Sequence, residues 1–212
     1  MNWTWKYTVP LRKLLLLFRT FFKRPGLVSS VQNLSLLSST LSWICPTRNI
    51  IWRRESARFK DVVDKATYII QCAQFDDAED WKEALEGADL YAFAAVFIAQ
   101  LPNIKSLCLD YSFVWLGGYP ERMVTHALHS PGLALPAFKS LQLIDYWRNV
   151  PSMEEWVQDS NMDIPDEFPG SNKNDQFDGW FHLSSLQHLG IWLLNISRLK
   201  DMKKRETNLG RL

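Results

Sequence analysis

Short parallel strands joined by helical crossovers, an α/β fold, are what this sequence predicts, and three observations carry the prediction. A nine-residue apolar phrase recurs at wide intervals, segments of helical periodicity fill the intervals, and the composition supplies a core. Of 212 residues, 47% are hydrophobic and 22% charged, which is too apolar and too nearly neutral for a disordered chain. A net charge of +1 gives no bulk attraction to nucleic acid or to an anionic membrane. Cys45, Cys72 and Cys108 are odd in number and far apart, so they form no disulfide framework and have no metal-ligand spacing. A reducing, intracellular setting, cytoplasmic or nuclear, is therefore expected.

The phrase reads apolar, two residues, apolar, two residues, apolar, one residue, apolar. It occurs over Leu101–Leu109 (with Leu101, Ile104, Leu107 and Leu109), Leu135–Leu143 (with Leu135, Phe138, Leu141 and Leu143) and Leu183–Ile191. A weaker copy runs over Val28–Leu36. The closing apolar-x-apolar places two side chains on one face of a strand and the residue between them on the other. The apolar pair before it, three residues apart, suits a turn or helix end tucked into the same core. One such unit cannot bury its apolar face alone, so neighbours must stack as parallel strands. This is the leucine-rich-repeat pattern in an irregular form, and the fold expected is a solenoid of short parallel strands with helices on its outer face. The starts at 101, 135 and 183 lie farther apart than in regular arrays, so the insertions must carry their own helices.

Those helices follow in chain order. Leu11 to Lys23 is predicted helical and stopped by Pro25-Gly26. Its Leu14–Phe18 run is too short for a membrane span and is broken by Arg19. Packing of that face on a core fits better than a basic amphipathic helix on a membrane surface. Asp76-Asp77 caps a segment from Ala78 to Gln100 in which Trp81, Leu85, Ala88, Ala92 and Ala95 keep a helical period, and Gly87 is a point where it can split. Glu121 to His129, after Pro120, is a shorter helix with Met123, Ala127 and Leu128 inward; Met153 to Gln158, capped by Ser152, is another. Asn161 to Asp178 is polar and turn-rich and reads as a projecting loop. Residues 1–197 are expected to form one repeat domain, read as a segment of a longer array, and 198–212 a charged, frayed tail.

The Leu11–Thr20 stretch running into Lys23-Arg24-Pro25-Gly26-Leu27-Val28 and on through Val31-Gln32-Asn33-Leu34-Ser35-Leu36 resembles the first repeat of the F-box/leucine-rich-repeat proteins abundant in fungi. The later Leu-Pro-x-apolar-Lys-Ser-Leu copies are similar to that family's following repeats. The resemblance spans Leu11 to Leu194 and rests on generic leucine spacing. It implies the substrate-recognition region of a cullin–RING ubiquitin ligase. The F-box, which docks the ligase adaptor, has no match here, and nothing before Leu11 has the length to hold it.

No catalytic constellation emerges. Cys108 with His126 or His129 is the nearest to a nucleophile and base, yet Cys108 falls between two core positions of a strand. Asp76, Asp77, Glu79 and Asp80 suit a helix N-terminus better than a cation site, and Gly117-Gly118 reads as a turn. No cofactor and no metal are expected. Among ten tryptophans, Trp115, Trp147 and Trp192 sit at or just after strand ends, as ridge fillers or as anchors for a partner. The residues flanking the core leucines should face the open side of the strands: Ser106, Cys108 and Asp110; Ser140, Gln142 and Ile144; His188, Gly190 and Trp192. They are the expected partner-binding strip of a non-catalytic protein–protein interaction module. The alternatives are a hydrolase whose site is assembled only by folding, and a gene fragment with no autonomous role.

Overall fold

In the computed structural model, which describes residues 11–36, 56–109, 113, 118–129, 136–146 and 177–191, the first helix is the one expected. Helix α1 (Leu11–Lys23) buries Leu14, Leu15, Leu17, Phe18 and Phe21 along one face, the i, i+3, i+4, i+7 stripe of a helix on a core. Pro25 ends it but also opens a second short turn, α2 (Pro25–Val28), where a proline's missing N–H is no loss.

Helix α3 (Lys60–Cys72), entered through a 310 turn at Ser56–Phe59, was not foreseen. Its core contacts are Val62, Ala66 and Ile70, four apart, a signal diluted by the charged residues between them. Arg19 of α1 clips the two helices together. Its guanidinium donates to both carboxylate oxygens of Asp61 at 2.9 and 2.5 Å, reaches the Arg58 carbonyl, and lies 4.9 Å from the centre of the Phe59 ring.

The long helical segment splits at Gly87, as its sequence allowed, into α4 (Ala78–Glu86) and α5 (Leu90–Ala99). The turn is a Schellman closure: Asp89 N–H donates to Ala84 C=O at 2.8 Å and Ala88 N–H to Leu85 C=O at 3.2 Å. The left-handed residue that the closure requires is Ala88 (φ 65°), not Gly87. Asp89 then caps α5, accepting from the amides of Tyr91 (2.7 Å) and Ala92 (3.3 Å). All ten residues of α5 are buried, as a helix apolar on every side must be. It touches α1, α3, α4, helix α6 (Tyr119–His129) and the 310 turn Pro136–Ser140. Phe97 stacks with Phe21 at 5.3 Å and meets Phe18 edge-on at 5.5 Å.

Helix α6 begins after Gly118, whose φ of 57° is a conformation a side chain disfavours. Met123 and Val124 face inward; Leu128 is 36% exposed, correcting the sequence expectation. Asp178, expected to close a loop, opens helix α7 (Asp178–Phe181), with Phe177 just before it and Trp180 within it both buried. The helix expected over Met153–Gln158, the rest of that loop and the tail 198–212 lie outside the described residues. Among the described residues, no helix is long and apolar enough to cross a membrane.

The strands β1 (Asn33–Leu36), β2 (Ser106–Leu109), β3 (Leu143–Asp145) and β4 (His188–Gly190) form one sheet in sequential order, and every pairing is parallel. Leu34, Leu36, Leu107, Leu109 and Ile144 enter the same apolar core as the helices. At ~25 cal/mol per Å² of apolar surface, each such leucine or isoleucine stabilises the fold by about 1.5–3 kcal/mol.

The register corrects one copy of the phrase. One carbonyl of each copy accepts two amides of the next. Gln32 C=O takes Lys105 and Ser106 N–H (2.7 and 3.1 Å), Lys105 C=O takes Gln142 and Leu143 N–H (2.8 and 2.9 Å), and Gln142 C=O takes Gln187 and His188 N–H (2.8 and 3.0 Å). Gln32, Lys105, Gln142 and Gln187 are therefore equivalent. The third copy is Phe138, Leu141, Ile144 and Tyr146, three residues later than the sequence reading placed it. The phrase permits the slip because its first half has a spacing of three, so Phe138 and Leu141 fit both frames. The observed frame gives its aromatics partners: Phe138 meets Trp180 edge-on at 6.1 Å, and Tyr146 meets Phe177 at 5.6 Å. Leu141 thus precedes β3 rather than lying in it, and Ile144, expected on the open face, is fully buried.

Candidate functional site

Since the core takes alternate residues of each strand, the remaining ones share the opposite face. The register arranges them in two rows, Asn33, Ser106, Leu143 and His188 in one, and Ser35, Cys108, Asp145 and Gly190 in the other. At about 4.8 Å between neighbouring strands, each row crosses ~15 Å. Asn33 and His188 are exposed and the other six half-buried, so the face is polar and reachable apart from Leu143.

Ser106, Cys108, His188 and Gly190 of the expected strip stand on this face. Three others do not. Ile144 belongs to the core; Ser140 ends a 310 turn; Gln142 precedes β3, exposed, at the carbonyl that receives β4. Asp110 and Trp192, with Trp115 and Trp147, lie outside the described residues. Asn33, Ser35, Leu143 and Asp145 were missed. The first two sit in the weak copy, and the last two appear only when the third copy is read in its proper frame. Gly190 makes room for its neighbour: a Cβ there would lie 2.9 Å from Asp145 Oδ1. Asp145 thus keeps its carboxylate against the adjacent strand in the centre of the second row.

A second polar cluster lies between α4 and α6. Asp77 is the N-cap residue of α4, but its carboxylate makes no capping bond and instead accepts from Arg122, Nε at 3.1 Å and the terminal nitrogen as well. The Arg122 guanidinium also lies 5.2 Å from the Trp81 ring centre and 4.9 Å from that of Tyr119. Burial, aided by Asp89, raises the Tyr119 hydroxyl above the ordinary phenol range, with Arg122 opposing. Because Arg122 is held by a carboxylate and two rings, the cluster reads as a brace between helices.

The imagined pairing of Cys108 with His126 or His129 finds no support in the imidazole contacts. His126 Nε2 donates to Ala73 C=O at 2.6 Å while its ring stacks on Phe75 at 3.9 Å, and His129 Nδ1 meets Thr125 C=O at 2.7 Å. Asp77, Glu79 and Asp80 occupy the start of α4, where acidic groups match the helix dipole. Among the described residues, no three His, Cys, Asp or Glu side chains come together as a metal site would require. No family model matches the chain, and the curated proteins and the solved structures contain no match to it either.

Proposed function

We propose that the chain is a non-catalytic protein-interaction module of leucine-rich-repeat type, an irregular solenoid whose four strands are successive rungs, with the open strand face as its binding surface. The observation that carries this reading is the register. Four parallel strands, contributed by four copies of one phrase, present Asn33, Ser35, Ser106, Cys108, Asp145 and His188 side by side on the face opposite the core. A shallow, mostly polar strip on a rigid sheet suits an extended segment of another protein, which can bond to hydroxyl, amide and carboxylate groups in turn. The resemblance to F-box/leucine-rich-repeat proteins extends the proposal to recognition of a substrate for ubiquitination inside the cell.

The test is affinity purification with the wild-type chain and with a Ser106→Arg/His188→Glu variant, whose exposed or half-buried changes leave the core untouched. Proteins retained by the wild type and lost by the variant, at equal melting temperature, support the proposal; identical recovery contradicts it. Co-purification of a cullin–RING adaptor supports the ubiquitin part, and its absence among retained partners removes that part alone.

A further inference from the structure

We infer that the outward face of α1, continued by α2, rests on a membrane surface rich in anionic lipid, a site separate from the open strand face and independent of what that face binds. Charge distribution is the first observation. The net charge of +1 hides a division along the chain: the first 54 residues carry nine Lys and Arg and no Asp or Glu, whereas the rest carries 15 against 23. A division of this kind points to a partner of opposite charge for the basic part.

The fold then decides which of these charges stand together. Leu14, Leu15, Leu17, Phe18 and Phe21 turn α1 toward the core. At about 100° per residue, Arg12, Leu16 and Lys23 lie within about 40° of one another on the opposite side, with Lys13 next to them. All four are exposed, as are Arg24 and Leu27 where α2 prolongs the face. Among the described residues, no ion pair engages Lys13, Lys23 or Arg24. Two leucines, Leu16 at 38% and Leu27 at 39% exposure, stand amid these cations, and they select the occupant. Nucleic acid or an acidic peptide would satisfy the cations and leave both leucines without a place. At a bilayer surface the cations meet lipid phosphates and carboxylates while the leucines enter the boundary with the acyl chains. The main apolar face of α1 is already held by the core, so this contact is shallow and reversible, and it is driven chiefly by charge.

The test is co-sedimentation of the full 212-residue chain with vesicles of phosphatidylcholine alone and of phosphatidylcholine with about 30% phosphatidylserine. Saturable binding to the anionic vesicles is expected, at least about tenfold stronger than to the neutral ones and weakened by added salt. Lys13→Gln/Lys23→Gln should lower partitioning about 25-fold, or about fivefold per charge removed, at an unchanged melting temperature. Leu16→Gln/Leu27→Gln should lower it several-fold with the charge intact. Lys82→Gln/Lys139→Gln, which removes two exposed charges elsewhere, should leave it within about twofold of wild type, as should Ser106→Arg/His188→Glu on the open face. This inference and the proposed function therefore fail separately. Absence of binding overturns the inference, and an acidic stretch of the chain itself lying over the face would produce that result. Equal binding to neutral vesicles, or binding that survives Lys13→Gln/Lys23→Gln, overturns it as well. So does displacement from the vesicles by a short RNA duplex or by polyglutamate whose own binding is untouched by Leu16→Gln/Leu27→Gln, which would make the face a site for a soluble polyanion.

Discussion

Gly179 and Gly190 sit where a methyl group meets other atoms, and they differ in what must give way. At Gly190 the nearest atom is the end of the Asp145 side chain, which can turn aside; at Gly179 a Cβ would lie 2.6 Å from Thr125 Oγ1 and 3.2 Å from Thr125 N. Thr125 is itself held by its hydrogen bond to Glu121, at 2.5 Å. Gly179→Ala should therefore lower stability by about 1–3 kcal/mol, read by urea denaturation. Gln74 presents the opposite case. It is exposed and left-handed (φ 53°) where α3 ends, a position that glycine occupies without strain. Gln74→Gly should raise stability by about 0.5–1 kcal/mol despite the greater freedom of the unfolded chain. Neither effect was legible in the sequence, because close approach and positive φ belong to backbone geometry that residue spacing does not encode.

Among the elements, α1 and the split of the Ala78–Gln100 segment were readable because their signals are local: an apolar stripe, a cap, a helix-weakening glycine. Helix α3 was not. Val62, Ala66 and Ile70 are buried and Val63 and Ile69 pack partly against the core, but the charged residues among them blur the period, and Arg19 adds a clip from α1. The hydrogen bond from Arg19, reinforced by its charge, holds the Asp61 carboxyl below its ordinary range. A carboxyl lowered in the fold contributes stability above the unfolded value of about 4, and that contribution is lost as the pH falls through the folded value. Asp61 is largely exposed, so screening keeps the effect small. Asp61→Asn should cost about 0.5–1 kcal/mol at pH 7, and the difference from wild type should fade below about pH 4, measured by thermal unfolding across pH. The brace of Asp77, Arg122, Trp81 and Tyr119 was equally invisible, since its two halves, Asp77 with Trp81 and Tyr119 with Arg122, are far apart in sequence and meet only in the fold.

For the molecule as a whole, the recurring phrase foretold parallel strands in sequential order, and the sheet has them. What the phrase could not decide was its own frame in the third copy, where Leu135-Phe138-Leu141-Leu143 and Phe138-Leu141-Ile144-Tyr146 satisfy one pattern. Long-range contacts with Phe177 and Trp180 settle the choice, and with it which residues reach the open face. Ser106, Cys108, His188 and Gly190 fall on the face opposite the core, as read, because the second and fourth copies are unambiguous. The comparison of Ile144→Ala with Leu143→Ala by urea denaturation tests this ladder most directly. With Ile144 fully buried and Leu143 half-buried on the opposite face, Ile144→Ala should lose about 2–5 kcal/mol and Leu143→Ala less than about 1 kcal/mol. Equal losses, or a larger loss at Leu143, would contradict the register on which the sheet and its open face depend.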